Sequence, residues 1–415
     1  MKHEERLQGI EWVQLVACVG MMGGMFFSRA LLSFFMLLVF CTALLPAQLQ
    51  HNFNRWRNSK FALFSLSFFL IYLVSGLWSL NMDAWLADVT VKIPFAFLPF
   101  GMLALPLHKP RFRTYSVIGI IVLQMIVVGY SLTMFYMDTA HYTEGYHRSV
   151  SLPTTKYNDH IRFSISLVMS IVMILYMLFD ERSTIVKPAL KRILAFTGLL
   201  FAVYLHLLAA KAGVLCFYVV LLVFFVVKAA GRSRLLALFA GLALCALPLA
   251  AYWSVPTFRT KVDYVFYEIS KTNSDGRYDY TLSDAGRMIT YEIGLKYIAQ
   301  HPWGGAGAGD LMDEMRKGYQ QYYPEVPVTQ QYGPTNQFLF TAFSVGIPLS
   351  LFLVAMVISM FTARVQNRLY LFITGLVMLI GMMPEAMLEL QFGVFTYLFY
   401  ILFWISAFGK KPEVN

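Results

Sequence analysis

The sequence predicts an all-α, polytopic membrane protein with about twelve transmembrane helices and one large extracytoplasmic loop that contains short helices. Three observations support this prediction. Of the 415 residues, 58% are hydrophobic and only 13% are charged, with a mean hydropathy of +0.60, which is outside the range of soluble proteins. The apolar residues form runs long enough to cross a bilayer. The chain has one long polar stretch, residues 253–335, late in the sequence.

A transmembrane helix needs about 20 predominantly apolar residues, and the chain contains about twelve such stretches. They lie near residues 9–26, 29–48, 61–80, 91–107, 114–137, 161–179, 193–210, 212–228, 234–252, 336–360, 369–384 and 392–408. We therefore divide the chain into transmembrane helices 1–9 in residues 1–252, an outer loop in 253–335, and helices 10–12 with a tail in 336–415. The first stretch lacks a convincing cleavage site, so we expect it to remain as a helix.

The formal net charge of +10 arises from Lys and Arg residues that stand in short clusters between the apolar runs. Cytoplasmic loops of membrane proteins are enriched in these residues. The clusters occupy alternate loops and comprise Arg55, Arg57 and Lys60; Lys109, Arg111 and Arg113; Arg182, Lys187, Lys191 and Arg192; Lys228, Arg232 and Arg234; Arg364 and Arg368; and Lys410 and Lys411. Both termini are therefore predicted to be cytoplasmic, and loops 81–90, 138–160 and 253–335 to be outside. The pattern argues against nucleic-acid binding.

Lys211 is the one charged residue in the apolar run 193–227. The run is just long enough for two short spans with a tight turn near residues 210–213, and one long tilted helix is the alternative. A lysine at the centre of a bilayer costs about 3 kcal/mol. In either case Lys211 should therefore face a polar cavity or the interface.

Within the polar stretch we expect three helices. Residues 258–270 predict a helix lying against the membrane, because their aromatic and aliphatic side chains are mixed with polar ones. Residues 284–300 follow an N-cap candidate, Ser283 or Asp284, and end before Pro302. Residues 310–321 have acidic side chains early and basic ones late, as the helix dipole favours.

Four cations are predicted near the outer face, beside apolar sequence: Lys92, Arg162, Lys211 and Arg287. Charges inside or beside membrane spans usually face the interior of the bundle and mark substrate pathways. Several fixed cations at one depth could hold a lipid-linked diphosphate without metal, Arg as a bidentate fork and Lys as a point charge. Each of them could instead reach to the lipid headgroups.

Other polar residues have two interpretations each. The glycine-rich stretch 304–310, with Gly305 and Gly307, could hold an anion before a helix N-terminus or form a tight turn. Glu389, with its loop neighbours Glu385 and Gln391, could bind sugar hydroxyls or be solvated. His301 precedes Pro302, where it could cap a helix or act at the site. No HExxH, CxxC or paired DxD motif is present in the sequence, and we predict no catalytic metal and no cofactor.

The series Arg287, then HPWGGAGAGD, then PTNQFLFTAFSVGIP resembles the signature region of the O-antigen ligase and O-antigen polymerase family of membrane glycosyltransferases. The resemblance extends over about residues 60–405, and the specific part runs from Arg287 to Gly346. It implies about twelve spans, a catalytic periplasmic loop, and metal-independent transfer of a glycan from undecaprenyl diphosphate with inversion at the sugar. It further implies that Arg287 grips the diphosphate and that Lys211 stands where members usually have Arg.

Asn336 and Leu339 match the family's "HN..L" motif, but Thr335 stands where the family has the His that is its proposed base. A threonine hydroxyl cannot act as a general base near neutral pH. Three interpretations stay open. The base is another residue, with His301, Glu292, Asp310 or Glu389 as candidates. Catalysis depends on stabilisation of the leaving group by Lys211 and Arg287, with Thr335 orienting the acceptor. Or the protein is a relative with no activity or an altered one.

The resemblance thus predicts a glycosyltransferase in the bacterial inner membrane whose active site faces the periplasm. The donor would be an undecaprenyl-diphosphate-linked glycan, and the acceptor lipid A-core for a ligase. The alternative acceptors are a second lipid-linked glycan, for a polymerase, and a protein side chain, for an O-oligosaccharyltransferase. A lipid-oligosaccharide transporter is the rival class, although transporters often have two related halves and none are apparent here. Membrane lipids are expected partners, and nucleic acid is not.

Overall fold

We describe the fold from a computed structural model that covers residues 2–145, 152–154, 159–180, 182–183, 187–272 and 278–409. Over these residues the protein is helical, and its β-type pairing is limited to an isolated bridge between Val365 and Gly409. The predicted all-α class is therefore confirmed. Lys410 and Lys411, which support the cytoplasmic assignment of the carboxyl end, lie outside the described residues.

The α-helices are numbered in chain order. They are α1 (Lys2–Phe27), α2 (Arg29–Ala43), α3 (Pro46–Arg57), α4 (Lys60–Val74), α5 (Met82–Lys92), α6 (Pro94–Ala104), α7 (Pro110–Met137), α8 (Thr139–Gly145), α9 (His160–Phe179), α10 (Pro188–Leu208), α11 (Lys211–Ala230), α12 (Arg234–Ser254), α13 (Pro256–Thr272), α14 (Ser283–Gln300), α15 (Leu311–Tyr322), α16 (Gln337–Thr362), α17 (Arg368–Met382) and α18 (Gln391–Phe408).

Ten helical segments in the described chain are long and apolar enough to cross a membrane, and a strongly bent pair raises the number to eleven. The shorter apolar helix α17 accounts for the twelfth predicted stretch. The bent pair is the predicted span 29–48, where the chain turns by 110° between α2 and Gln48–Arg57. Pro46 begins α3, and the polar residues that follow it disfavour continuation of an apolar span.

The helices form one bundle whose centre is α18. This helix and α9 are almost wholly buried by other helices, whereas α12 has no buried residue. Aromatic rings fill the centre: the Trp404 ring stacks on the Tyr370 ring at 5.3 Å and on the Phe408 ring at 5.7 Å. A second, smaller apolar core joins α14 and α15 to the start of α16, so the polar segment packs as part of the same molecule.

The two ends of the bundle collect alternate loops. At one end, the Arg113 guanidinium donates to Leu107 O at 3.1 Å and to Ala407 O at 3.4 Å, and Gln366 N donates to Phe408 O at 2.8 Å. At the other end, Lys211 at the start of α11 pairs with Glu268 of α13 and Asp284 of α14, and α14 also packs on α16. Arg287 of α14 pairs with Glu385 in the loop before α18. This is the alternation that the Lys and Arg clusters predict. The orientation of the bundle in a membrane remains a prediction.

The turn between α10 and α11 decides between the two interpretations of residues 193–227. Helix α10 ends at Leu208, Ala209 is left-handed with φ 50°, and α11 begins at Lys211. The run is therefore two helices rather than one. Gly213 packs on α9, where an added Cβ would lie 2.4 Å from the Ser164 side chain. This close approach brings the first turn of α11, with Lys211, beside the first turns of α9.

Candidate active site

Lys211 and Arg287 share a carboxylate in the polar segment. Lys211 Nζ donates to Asp284 Oδ2 at 3.0 Å and to Glu268 Oε2 at 3.0 Å. Arg287 Nη1 donates to Asp284 Oδ1 at 3.0 Å, and its Nη2 donates to Glu385 Oε1 at 3.0 Å. Asp284 and Arg287 are three residues apart on α14, a spacing that places both on one face of the helix. Four separate parts of the chain thus meet at one point.

Arg162 joins this group from the start of α9. Its Nη1 donates to Asp159 Oδ2 at 3.1 Å, and its backbone N–H donates to Asp159 Oδ1 at 3.1 Å. The guanidinium is buried, and its Nε has no hydrogen-bond partner among the described residues. The positive charge of Arg162 lies close enough to Glu385 to act against the rise in its pKa. Gly393, in the first turn of α18, packs closely on the preceding loop and on Arg162, since an added Cβ would lie 1.7 Å from Met387 O and 3.0 Å from Arg162 Nε.

We call this group the three-cation cluster. It comprises Arg162, Lys211 and Arg287 with the carboxylates Asp159, Glu268, Asp284 and Glu385.

The pKa values of two carboxylates in the three-cation cluster are shifted in opposite directions. Burial by itself would raise the pKa of Asp284, but hydrogen bonds and charge from Lys211 and the charge of Arg287 outweigh burial and hold that pKa below its ordinary value. Burial raises the pKa of Glu385, against the charges of Arg287 and Arg162 and with that of Asp159. The cluster therefore holds one carboxylate that stays ionised and one that is easier to protonate.

Lys92 lies in a different cluster and is fully buried. Its Nζ donates to Asp88 Oδ1 at 2.6 Å and to Glu389 Oε2 at 2.6 Å, and it stands 4.1 Å from the centre of the Tyr72 ring. Glu389 Oε1 accepts a hydrogen bond from Gln337 Nε2 at 2.7 Å. Burial and the charge of Asp88 raise the pKa of Glu389 to about 7, although Lys92 opposes them. We call these residues the Lys92 cluster.

Thr335 and Asn336 lie at the beginning of α16. Thr335 Oγ1 donates to Tyr291 OH at 3.1 Å. Asn336 Oδ1 caps the helix by accepting from Phe338 N at 2.9 Å and from Leu339 N at 3.0 Å. Its Nδ2 donates to Met383 O at 3.0 Å, two residues before Glu385. Both therefore border the three-cation cluster, and Asn336 has a capping role that needs no ligand.

The glycine-rich stretch packs against a break in α16. Gly305 and Gly307 have φ of 62° and 89°, and Gly346 inside α16 has φ 80°, values that favour glycine. Backbone hydrogen bonds join the two segments, from Ala306 N to Phe343 O at 2.8 Å and from Gly307 N to Ser344 O at 2.9 Å. These bonds occupy the amides of Ala306 and Gly307, and the positive φ values of Gly305 and Gly307 fit a tight turn.

His301 lies at the far end of α14, about 21 Å along the helix from Arg287 at 1.5 Å per residue. Its ring stacks on the Tyr297 ring at 4.5 Å and faces Tyr297 O at 3.3 Å. The structure therefore does not bring it to the three-cation cluster.

The other residues proposed as the base also accept hydrogen bonds from neighbouring groups. Glu292 accepts from Lys296 Nζ at 2.7 Å and from Tyr323 OH. Asp310 accepts from Leu80 N at 2.6 Å and from Asn81 N at 2.8 Å, which fixes the beginning of α5. Glu389 is held by Lys92 and Gln337.

The carboxylates are what sequence reasoning missed. The sequence suggests Asp284 only as a helix cap, and Glu385 as a sugar ligand or a solvated side chain. Asp159 and Asp284 each precede an Arg by three residues, a spacing from which a pair could have been found. No local signal identifies Glu268, which lies 57 residues from Lys211 in the chain. Over the described residues, no group of three or more His, Cys, Asp or Glu side chains is arranged to hold a metal ion.

Fold and site together define a polytopic membrane protein that gathers Arg162, Lys211 and Arg287 at one end of its bundle, where the polar segment packs. Residues 196–354 match the family model described as O-antigen ligase. This region of the chain is similar to the O-antigen ligase family, which confirms for these residues the resemblance found in the sequence. The match includes Lys211, Arg287, Thr335 and Asn336. None of the curated proteins compared with the chain matches it.

The family indicates an activity of ligase or polymerase type in general. It implies a lipid-linked glycan and an acceptor as the substrates.

Proposed function

We propose that the protein is a metal-independent, inverting glycosyltransferase that moves a glycan from undecaprenyl diphosphate onto an acceptor at the outer face of the inner membrane. The observation that supports this most is the meeting of Lys211 and Arg287 on opposite oxygens of one carboxylate, both at 3.0 Å. A carboxylate held between two cations occupies the kind of position in which a diphosphate oxygen would be bound.

Lys211 and Arg287 each have N–H donors that remain available to hydrogen-bond a ligand. An ammonium has three N–H donors and a guanidinium has five, and Lys211 and Arg287 each use two of them on carboxylates. Their side chains are 33% and 22% exposed, so the unused donors can be reached. In our proposal the diphosphate binds to these donors, and the cations stabilise the negative charge that develops as the sugar leaves.

Arg162 would add a third positive charge beneath the loop before α18. Its Nε is buried without a partner in the described chain, and a buried donor of this kind gains by meeting an acceptor. The three cations of the cluster face four carboxylates, so donor binding must displace or protonate part of this negative charge.

The acceptor is placed by the residues around Thr335. Its hydroxyl and that of Tyr291 are 3.1 Å apart, next to the loop that carries Glu385. Hydroxyl groups at this position can hydrogen-bond a sugar acceptor. We propose lipid A-core as that acceptor, with a second lipid-linked glycan or a protein side chain as the alternatives, and we place the site in the periplasm with both termini in the cytoplasm.

A deletion strain tests this proposal, read by a gel of surface polysaccharide with lipid-linked intermediates extracted in parallel. A ligase predicts long glycan accumulating on the polyisoprenyl carrier while the acceptor stays bare. A polymerase predicts accumulation of single repeat units. No change in either pool would contradict the proposed transferase and favour a transporter.

A further inference from the structure

Transfer to a hydroxyl requires a group that takes the hydroxyl proton. This question rests on the proposed function, and it concerns the same site. Thr335 cannot be that group because its hydroxyl is far too weak a base at neutral pH. The candidates that remain beside Lys211 and Arg287 are the four carboxylates of the three-cation cluster.

Three of these carboxylates are unsuitable. Asp284 has both oxygens bound to cations, and its pKa is lowered, which makes it a weak base. Asp159 accepts from both the side chain and the backbone of Arg162. The Glu268 side chain has no exposed surface, so an acceptor cannot reach it without rearrangement of α13.

Glu385 differs from the other three. Only its Oε1 is bonded, to Arg287 Nη2 at 3.0 Å, and Oε2 has no hydrogen-bond partner among the residues that the structure describes. The side chain is 21% exposed, enough for contact with a ligand. The ionisable groups around it are Arg287, Arg162, Asp159 and Tyr332.

The position of Glu385 is fixed by its loop. Met383 O, two residues earlier, accepts from Asn336 Nδ2 at 3.0 Å and from Tyr291 OH at 3.4 Å. Tyr291 in turn accepts from Thr335. The loop that carries the carboxylate is therefore tied to the side chains that we assign to the acceptor, while Arg287 ties the carboxylate to the donor site.

We infer that Glu385 is the general base of the transfer reaction. Its Oε2 accepts the proton of the acceptor hydroxyl as that oxygen forms the new bond to the anomeric carbon. The bond from the anomeric carbon to the diphosphate oxygen breaks, and its electron pair leaves with the diphosphate beside Arg287 and Lys211. The protonated Glu385 then releases its proton to water.

The test uses the purified full-length protein with a glycan on undecaprenyl diphosphate and the acceptor that the deletion strain identifies. Glu385→Gln keeps the shape of the side chain and an oxygen for Arg287, but it cannot take a proton. We expect a loss of transfer rate of about a hundredfold to ten-thousandfold, the usual contribution of a general base, with unchanged binding of undecaprenyl diphosphate. Glu325→Gln, at an exposed position of the polar segment, is the matched control and should transfer normally.

The pH profile provides a second readout. The wild-type rate should fall as the pH drops through the raised pKa of Glu385, because only the ionised carboxylate accepts a proton. The residual rate of Glu385→Gln should lack this decrease.

Three outcomes would overturn the inference in different ways. Wild-type protein that transfers nothing would overturn the proposed function and this inference with it. Active Glu385→Gln beside active wild type would overturn the inference alone. Loss of undecaprenyl diphosphate binding together with transfer would show that Glu385 positions Arg287 instead.

Discussion

The three-cation cluster and the Lys92 cluster have similar chemistry and different surroundings. In each, a cation is held between two carboxylates, and one carboxylate of the cluster comes from the loop before α18, Glu385 in one case and Glu389 in the other. Lys211 and Arg287 are 33% and 22% exposed, whereas Lys92 has no exposed surface. A ligand can reach the first cluster, while the second has its ammonium closed by carboxylates and the Tyr72 ring.

This difference assigns separate roles. A fully buried charge pair stabilises little by its presence but costs much when one partner is removed. A partly exposed cation with unused donors can bind an anion. We therefore expect substitutions in the three-cation cluster to affect transfer, and substitutions in the Lys92 cluster to affect stability.

Arg287→Ala should have the largest effect. Removal of one donor to a developing negative charge commonly lowers a rate by about a hundredfold to a thousandfold, and Arg287 offers several. We expect loss of glycan transfer with normal protein level in the membrane, measured by the surface-polysaccharide gel and an immunoblot. Arg316→Ala is the matched control, since Arg316 also pairs with an Asp three residues earlier at 3.0 Å but is exposed on α15. Unchanged transfer in Arg287→Ala would remove its diphosphate role.

Lys211→Ala should lose transfer by about a hundredfold, somewhat less than Arg287→Ala, because an ammonium offers fewer donors than a guanidinium. Lys211→Arg should keep or raise the rate because the charge remains and a bidentate fork is added. Initial rates of the two variants, compared with wild type, decide this. Equal rates in both would mean that Lys211 lies at the membrane interface and has no part in the reaction.

Lys92→Met should affect stability. It leaves Asp88 and Glu389 without their buried cation, which typically costs about 3–5 kcal/mol, so the thermal midpoint in detergent should fall. Adding Glu389→Gln to Lys92→Met should recover part of the loss. A variant of normal stability that no longer binds undecaprenyl diphosphate would instead place Lys92 in the donor site, as the sequence predicts.

Glu389 of the Lys92 cluster and Asp284 of the three-cation cluster should contribute to stability with opposite pH dependence. The pKa of Glu389 is raised from 4.5 to about 7, so the folded protein binds this proton more tightly than the unfolded chain. This contribution to stability is present below pH 4.5 and is lost as the pH rises to 7. Asp284, with a pKa lowered from 3.8, loses its contribution as the pH falls from 3.8 through that lowered pKa. We expect Glu389→Gln to reduce the gain in thermal midpoint between pH 7.5 and 5.5; an identical gain would contradict this.

The smallest expected effect is that of a chelator. If Lys211, Arg287 and Arg162 neutralise the diphosphate, transfer by the purified protein should be unchanged in excess EDTA. A loss of transfer that Mg²⁺ restores would show that the three-cation cluster needs a metal ion.

Much of the fold follows from local sequence. The twelve apolar stretches correspond to helices or to the bent pair, because burying about 20 apolar residues in lipid depends on composition alone. The fourth predicted span, 91–107, differs most in its boundary, since the spanning segment begins at Met82. There Asn81 caps α5 by accepting from Ala84 N at 3.1 Å, so residues 81–90, predicted as a loop, are mostly helical.

The sequence by itself determined the class of protein, the alternation of its loops and the presence of four cations near one face. Tertiary structure decided how those cations are used. Lys92 and Glu389 are 297 residues apart, and Arg287 and Glu385 are 98 apart. Which carboxylate meets which cation, and how much water or ligand reaches the pair, depends on how distant helices pack. Periodicity and spacing show where a residue lies on its own helix. Whether a charged cluster can bind a ligand or only stabilises the fold depends on how far the neighbouring helices bury it.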